Sequence, residues 1–208
     1  MKFFGRGEDQ KEKASEAGRM TRHSSGWDHA LKFLQAGENL RILDFGHTSP
    51  ANINFVTSLG HSIYMADLVE PARDSRWKEQ TELFNEDAFD ARSFLEENLR
   101  IADRHFDLVL LWDTVDYLPH PLVHALLAKL YDIMTPEAKL LAFFHIKTEA
   151  EAYRYHMRQD AQVDMQLVGE YPLQSTYTAR QIEELFARFS DTRFFLAKDN
   201  LREVLVTR

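Results

Sequence analysis

The chain has 208 residues, no cysteine, a net charge of −8 and 44% hydrophobic residues. Without cysteine there are no disulfides, thiolate metal sites or cysteine nucleophiles, and the acidic balance speaks against a broad nucleic-acid footprint. No apolar run reaches the ~18 residues of a membrane helix, so the expectation is one globular domain with a sizeable core, in a reducing cytoplasm.

Residues 1–24 are polar, without apolar periodicity and without the apolar core of a secretory signal. They predict a loose arm, with a lid over a ligand site as the alternative, ahead of a domain over residues 25–208. Ser25-Gly26-Trp27-Asp28 opens a helix whose inner face carries Trp27, Ala30, Leu31, Phe33 and Leu34, and Gly37 stops it. Leu40–Phe45 reads as a buried strand, Gly46–Asn52 as a loop, Asn54–Leu59 as a helix and Ser62–Asp67 as a second strand. Residues 68–81 are polar and helical or irregular, and Glu82–Asn85 suits a short third strand. Phe89–Ile101 is an amphipathic helix. Phe106–Trp112 is the strongest strand signal in the chain. A helix over Pro119–Met134 follows, with proline at its start, then a strand over Lys139–His145. Thr148–Gln159 reads as a charged helix, Gln166–Tyr171 as a strand or loop, and Thr178–Phe189 as a helix capped by Thr178. The last two strands flank Lys198-Asp199-Asn200, which is turn chemistry and predicts an antiparallel hairpin.

Strands alternating with helices imply crossover connections. The expected fold is therefore α/β: a Rossmann-like, doubly wound, mostly parallel seven-stranded sheet with helices on both faces and a C-terminal antiparallel hairpin. Such a sheet binds its ligand beyond the carboxyl ends of the strands. That directs attention to Asp44–Pro50, Asp67, Asp87–Ala88, Trp112–Asp116 and His145. Asp67 ends the second strand, where a carboxylate can accept both hydroxyls of a ribose; the same residue could simply cap a helix.

LRILDFGHTSPANINFVTSLGHSIYMADL resembles the first two strands and intervening glycine loop of class I S-adenosylmethionine-dependent methyltransferases. EDAFDARSF is similar to the loop after their third strand, FDLVLLWDTVDYLPHP to their fourth strand and next helix, and YTARQIEELFARF with EVLVTR to the closing elements of their small-molecule members. The resemblance spans about residues 25–208. It implies S-adenosylmethionine as cofactor. Asp44 and Gly46 would serve its methionine end, with Thr48 offering a hydroxyl. Asp67 would hold the ribose, Leu68 would pack on the adenine, Asp87 and Ala88 would meet the adenine edge, and Trp112 and Asp113 would lie by the reaction centre. Base candidates for an acceptor are Asp113, Asp116, His120 and His145.

The loop departs from the family pattern: Gly46-His47-Thr48-Ser49-Pro50 has one glycine where the family carries two or three. The readings are therefore methyl transfer to a small-molecule acceptor, or a methyltransferase-like domain that binds a ligand or partner without turnover. An NAD-type oxidoreductase is a third. No membrane or nucleic-acid partner is expected, and a homodimer is allowed. No GxSxG elbow or GxxxxGK[ST] loop occurs, which removes serine hydrolases of that type and P-loop enzymes. His120 and His124 have zinc-compatible spacing but no third ligand, so a plain histidine pair is expected. Tyr153–Arg158 reads as a solvated helix face or as part of a substrate lid.

Overall fold

A computed structural model describes residues 19–78, 89–148, 151–195 and 199–208. In chain order the elements are β1 (Arg19–His23), α1 (Ser25–Ala36), β2 (Arg41–Phe45), α2 (Pro50–Ser58), β3 (Ser62–Ala66), α3 (Val69–Ala72), α4 (Ala91–Asn98), β4 (Phe106–Trp112), α5 (His120–Ile133), β5 (Met134–His145), β6 (Glu151–Met157), β7 (Gln162–Glu170), α6 (Ala179–Leu185), β8 (Asp191–Phe195) and β9 (Leu201–Thr207). Among these helices none is long and apolar enough to cross a membrane.

The main sheet runs β3-β2-β4-β5-β9-β8. Its first four strands are parallel, β9 is antiparallel to β5, and β8 pairs antiparallel with β9 as the terminal hairpin requires. Side chains alternate between two cores. Leu43, Phe45, Val109, Leu111, Leu140 and Ala142 pack under α4, α5 and α6, while Ile42, Leu108, Leu110, Leu141 and Phe143 pack under α1 and α2. Burial on both faces is why the central strands are continuous apolar runs. The chain turns from β2 to β3 on one side and returns to β4 on the other, so the switch point lies between β2 and β4, where this class of sheet holds its ligand.

Three expectations are corrected. The main sheet has six strands among the described residues, not seven; the expected third strand, Glu82–Asn85, lies outside them. The helix expected over Thr148–Gln159 is instead strand β6 where it is described. Tyr153, Tyr155 and Met157 recur at every second residue and join the α1–α2 core together with Val163 and Met165. That two-residue period belongs to a strand. Finally, residues 19–23 are not loose: they form β1, which pairs with β7 from Arg19↔Gln166 to His23↔Gln162. With β6 they complete a separate antiparallel sheet, β1-β7-β6.

A buried charge cluster fastens this second sheet to the first. Arg22 pairs with Glu203 at 2.9 Å and with Asp199 at 2.8 Å. Glu203, 1% exposed, also accepts from the Ser24 hydroxyl at 3.0 Å and the Gly26 amide at 2.6 Å. A Cβ at Gly26 would sit 2.6 Å from Leu141 Cδ1 and 3.0 Å from the Glu203 carboxylate, so a larger residue there would have to displace those side chains. Breaking a buried pair by removing one partner costs about 3–5 kcal/mol. Glu203→Ala should therefore lose stability of that order in a urea titration; a loss below about 1 kcal/mol would show that the cluster is not a fastening.

Candidate functional site

The site is built from the carboxyl ends of β2, β3 and β4 with β6 lying across them. Asp44 is the next-to-last residue of β2, on the same sheet face as Ile42, and the chain turns at Gly46 with φ of +129°. That conformation is open to glycine and strained for other residues. Ser49 caps α2 by accepting from the Asn52 amide, and Pro50 occupies the first helical turn, where its missing N–H is harmless.

Asp44 is 1% exposed and both of its oxygens are used. The Trp112 indole donates to one at 2.6 Å and the Asn52 amide to the other at 2.9 Å. Burial nevertheless pushes its carboxyl up to about 6, against the lowering effect of those two donors. Trp112 ends β4 with φ of +48°, an unfavourable conformation for a bulky residue, next to a register shift in the strand. Its ring stacks on Tyr155 of β6 with centroids 5.0 Å apart and planes 8° off parallel. The Tyr155 hydroxyl donates to Asp113 at 2.8 Å. Burial pushes Asp113 up to about 6 as well, and burial together with Asp113 raises the Tyr155 phenol.

Asn52 closes the arrangement, since its amide also donates to the Tyr155 carbonyl at 3.0 Å and its oxygen accepts from the Met157 amide at 2.9 Å. Ser49 and His156 meet at 2.9 Å, and His156 reaches Gln166 at 3.0 Å. The cavity left among Asp44, Gly46, His47, Trp112, Asp113 and Tyr155 is about 20 Å³, room for about one water.

The expected site residues separate into groups. Asp67, at the end of the strand beside Gly46, keeps a side chain that is 28% exposed and pairs with His47 Nδ1 at 2.8 Å. Burial alone would raise Asp67, but the hydrogen bond and charge of His47 outweigh it and lower its pKa. The same hydrogen bond raises His47. Leu68 is fully buried in the core and Thr48 is exposed. Asp87 and Ala88 lie outside the described residues.

Asp113, Asp116 and His145 do come together. Asp116 accepts from the His145 amide at 2.6 Å and lies 2.9 Å from its Nδ1, and burial raises the Asp116 carboxyl. His120 does not join them. It faces His124 at 3.3 Å beside a separate cavity of about 340 Å³ lined by Tyr177 and Glu184, and no group of three or more metal-capable side chains occurs among the described residues. Asn52 and Arg154 were not singled out as site residues from the sequence, and His47 entered only as part of the Asp44–Pro50 loop, although Arg154 and Tyr155 fall in the aromatic-basic stretch weighed as a lid.

No protein-family model and no curated protein matches the chain. Solved structures do. A protein assigned as an O-methyltransferase from Nostoc punctiforme aligns at 17% identity over 87% of this chain and 56% of its own, with a TM-score of 0.46. The Burkholderia thailandensis 1,6-didemethyltoxoflavin N1-methyltransferase, solved with its substrate and S-adenosylhomocysteine, aligns at 14% over 96% of this chain and 81% of its own, with a TM-score of 0.45. The magnesium protoporphyrin IX methyltransferase of Synechocystis, solved with S-adenosylmethionine, aligns at 14% over 88% of this chain and 77% of its own, with a TM-score of 0.48. The chain thus spans just over half the length of the first of these. Likeness at this level assigns no activity.

The buried carboxylates make a specific pH response. Each holds its proton more tightly folded than unfolded, so its contribution to stability is largest in acid and falls as pH rises from 3.8 toward about 6. The Trp112 indole resonance, followed by ¹H–¹⁵N NMR, should shift with a midpoint near pH 6 and lose that transition in Asp44→Asn. A resonance unmoved between pH 5 and 7 would contradict the Asp44 contact. The strand order observed in the chain itself, a parallel sheet switching at β2 and β4 and ending in an antiparallel hairpin, is the Rossmann-like arrangement implied by its resemblance to class I S-adenosylmethionine-dependent methyltransferases.

Proposed function

We propose that the protein binds S-adenosylmethionine across the ends of β2 and β3 and transfers its methyl group to a small-molecule acceptor. The observation that carries this reading is Asp67, a half-buried carboxylate at the end of the strand next to the Gly46 turn. The residues fit the nucleoside end of such a cofactor: Asp67 reaches the surface to accept ribose hydroxyls, and no atom lies within 4 Å of where a Gly46 Cβ would be, so a ligand can approach that backbone. They do not fit the methionine end as it stands, because Trp112 and Tyr155 leave only about 20 Å³ there. Binding of the whole cofactor therefore requires β6 to lift Tyr155 off Trp112.

The cofactor supplies an already activated methyl group, so the chain's own task is alignment and exclusion of water. Trp112, Phe143 and Tyr155 provide the apolar wall. Asp113 Oδ2, bonded to the Tyr155 hydroxyl and with its pKa near 6, is placed to take a proton from an acidic acceptor. The buried Asp116–His145 pair lies behind it as a second proton store.

The filled methionine end favours one other reading: a domain of this fold that binds a nucleoside-like ligand or a partner without turnover. Calorimetric titration with S-adenosylmethionine and S-adenosylhomocysteine separates the two. The first reading expects micromolar binding to wild type, weakened roughly tenfold or more in Asp67→Ala as a charge-assisted hydrogen bond is lost. No binding of either compound removes the methyl-transfer reading and leaves the second.

A further inference from the structure

The histidine pair on α5 takes no part in the crevice described above. His120 and His124 stand one turn apart on one face of the helix, and their Nε2 atoms are 3.3 Å from each other. Two nitrogens bound to one tetrahedral zinc at about 2.0–2.1 Å lie roughly 3.3–3.4 Å apart, so this pair already has the spacing of one coordination edge. Each ring must offer a lone pair to bind a metal, which only a neutral imidazole does. Burial, and then the charge of His120, lower the His124 pKa and favour its neutral form.

The pair lines a cavity of about 340 Å³ together with residues 175–177 and α6. His120 lies in the first turn of α5, at the positive end of the helix dipole. A dication there calls for an anionic ligand, and Glu184 of α6 lines the same cavity. Glu184 is engaged by Arg180, four residues before it on its own helix, at 3.0 Å. Both of those side chains are exposed, and a surface pair of this kind contributes little. As folded, the described residues present no group of three metal-capable side chains, so Glu184 has to turn from Arg180 to complete one. Tyr177, whose hydroxyl is buried and completes no hydrogen bond among the described residues, also lines the cavity and can hold water on an ion.

We propose that His120, His124 and Glu184 form a binding site for a divalent transition metal of the zinc class, with water in the remaining position, joining the start of α5 to α6. Two imidazoles and one carboxylate suit zinc, whereas magnesium and calcium take oxygen ligands. The site is independent of the methyl-transfer reading, because neither the cofactor nor its crevice enters it.

The test uses the full chain, free of any affinity tag and near neutral pH, as wild type, His120→Ala, His124→Ala, Glu184→Gln and His105→Ala, the last an exposed histidine outside the cavity. Zinc chloride is titrated calorimetrically, and melting temperature is followed with zinc and with magnesium. Wild type and His105→Ala should bind one zinc per chain at micromolar affinity, with melting raised by zinc and not by magnesium. His120→Ala, His124→Ala and Glu184→Gln should each bind at least tenfold more weakly, since even the outer partners of a metal site are worth about 10–100-fold. All three side chains are exposed, so the metal-free variants should melt with wild type. No zinc binding by wild type at millimolar ion, or equal binding in wild type and the histidine variants, overturns the proposal. So does wild-type affinity in Glu184→Gln, which leaves a bare histidine pair, or an equal rise in melting temperature with magnesium.

Discussion

A carboxylate buried at the end of a central strand has to be held on every side, and in this protein the holding of Asp44 organises everything near it. Its oxygens take the indole of β4 and the amide of α2. The same Asn52 amide group then reaches the backbone of β6 at Tyr155 and Met157. One acid therefore ties together the parallel sheet, the helix after the glycine turn, and the second sheet. An unpartnered acid at that depth would carry a penalty of several kcal/mol, so these three elements are fixed relative to one another as a condition of burying it.

That network also decides what the crevice can do. Bringing β6 close enough for Asn52 to bond it lays Tyr155 flat against Trp112 and fills the place where a ligand would extend. The unfavourable backbone of Trp112 is held by the same contacts, which is where strain is expected when a site is pre-shaped. The other half of the crevice, around Gly46 and Asp67, stays partly open. The crevice is therefore asymmetric, partly open around Gly46 and Asp67 and filled between Trp112 and Tyr155. Opening the filled end would break the hydrogen bonds between β6 and Asn52, His156 and Ser49, and Tyr155 and Asp113, and would withdraw Tyr155 from the α1–α2 core, while Arg22 and Glu203 keep β1, and through it β7, anchored.

The main sheet was legible because its strands are buried on both faces: LRILDF, FDLVLLW and KLLAFFH have no other stable use in a domain of this size. The closing hairpin was legible from its turn. The second sheet was not. RMTRH in β1 is almost wholly polar and becomes a strand only because β7 offers it backbone partners 143 residues away along the chain, as Thr21 and Asp164 show. β6 did carry a signal, the alternation of Tyr153, Tyr155 and Met157, but its charged neighbours fit a helix face equally well until the core that the aromatics fill is known. The positions of Asp44, Asp67, Trp112 and Asp113 at the strand ends were legible, because alternating strands and helices fix where the strands of such a sheet end. The contacts of Asn52, His47 and Arg154 were not, since only the folded loop and β6 create them.

A cofactor bound as proposed across the ends of β2 and β3 would displace Tyr155 from Trp112. The most direct measurement is a ¹H–¹⁵N NMR titration with S-adenosylhomocysteine, following the amides of Gly46 and Asp67 and the indole of Trp112. Saturable shifts are expected at all three, with the Trp112 indole moving because its stacking partner has left. Shifts confined to residues outside this crevice, or none at saturating ligand, would contradict that binding.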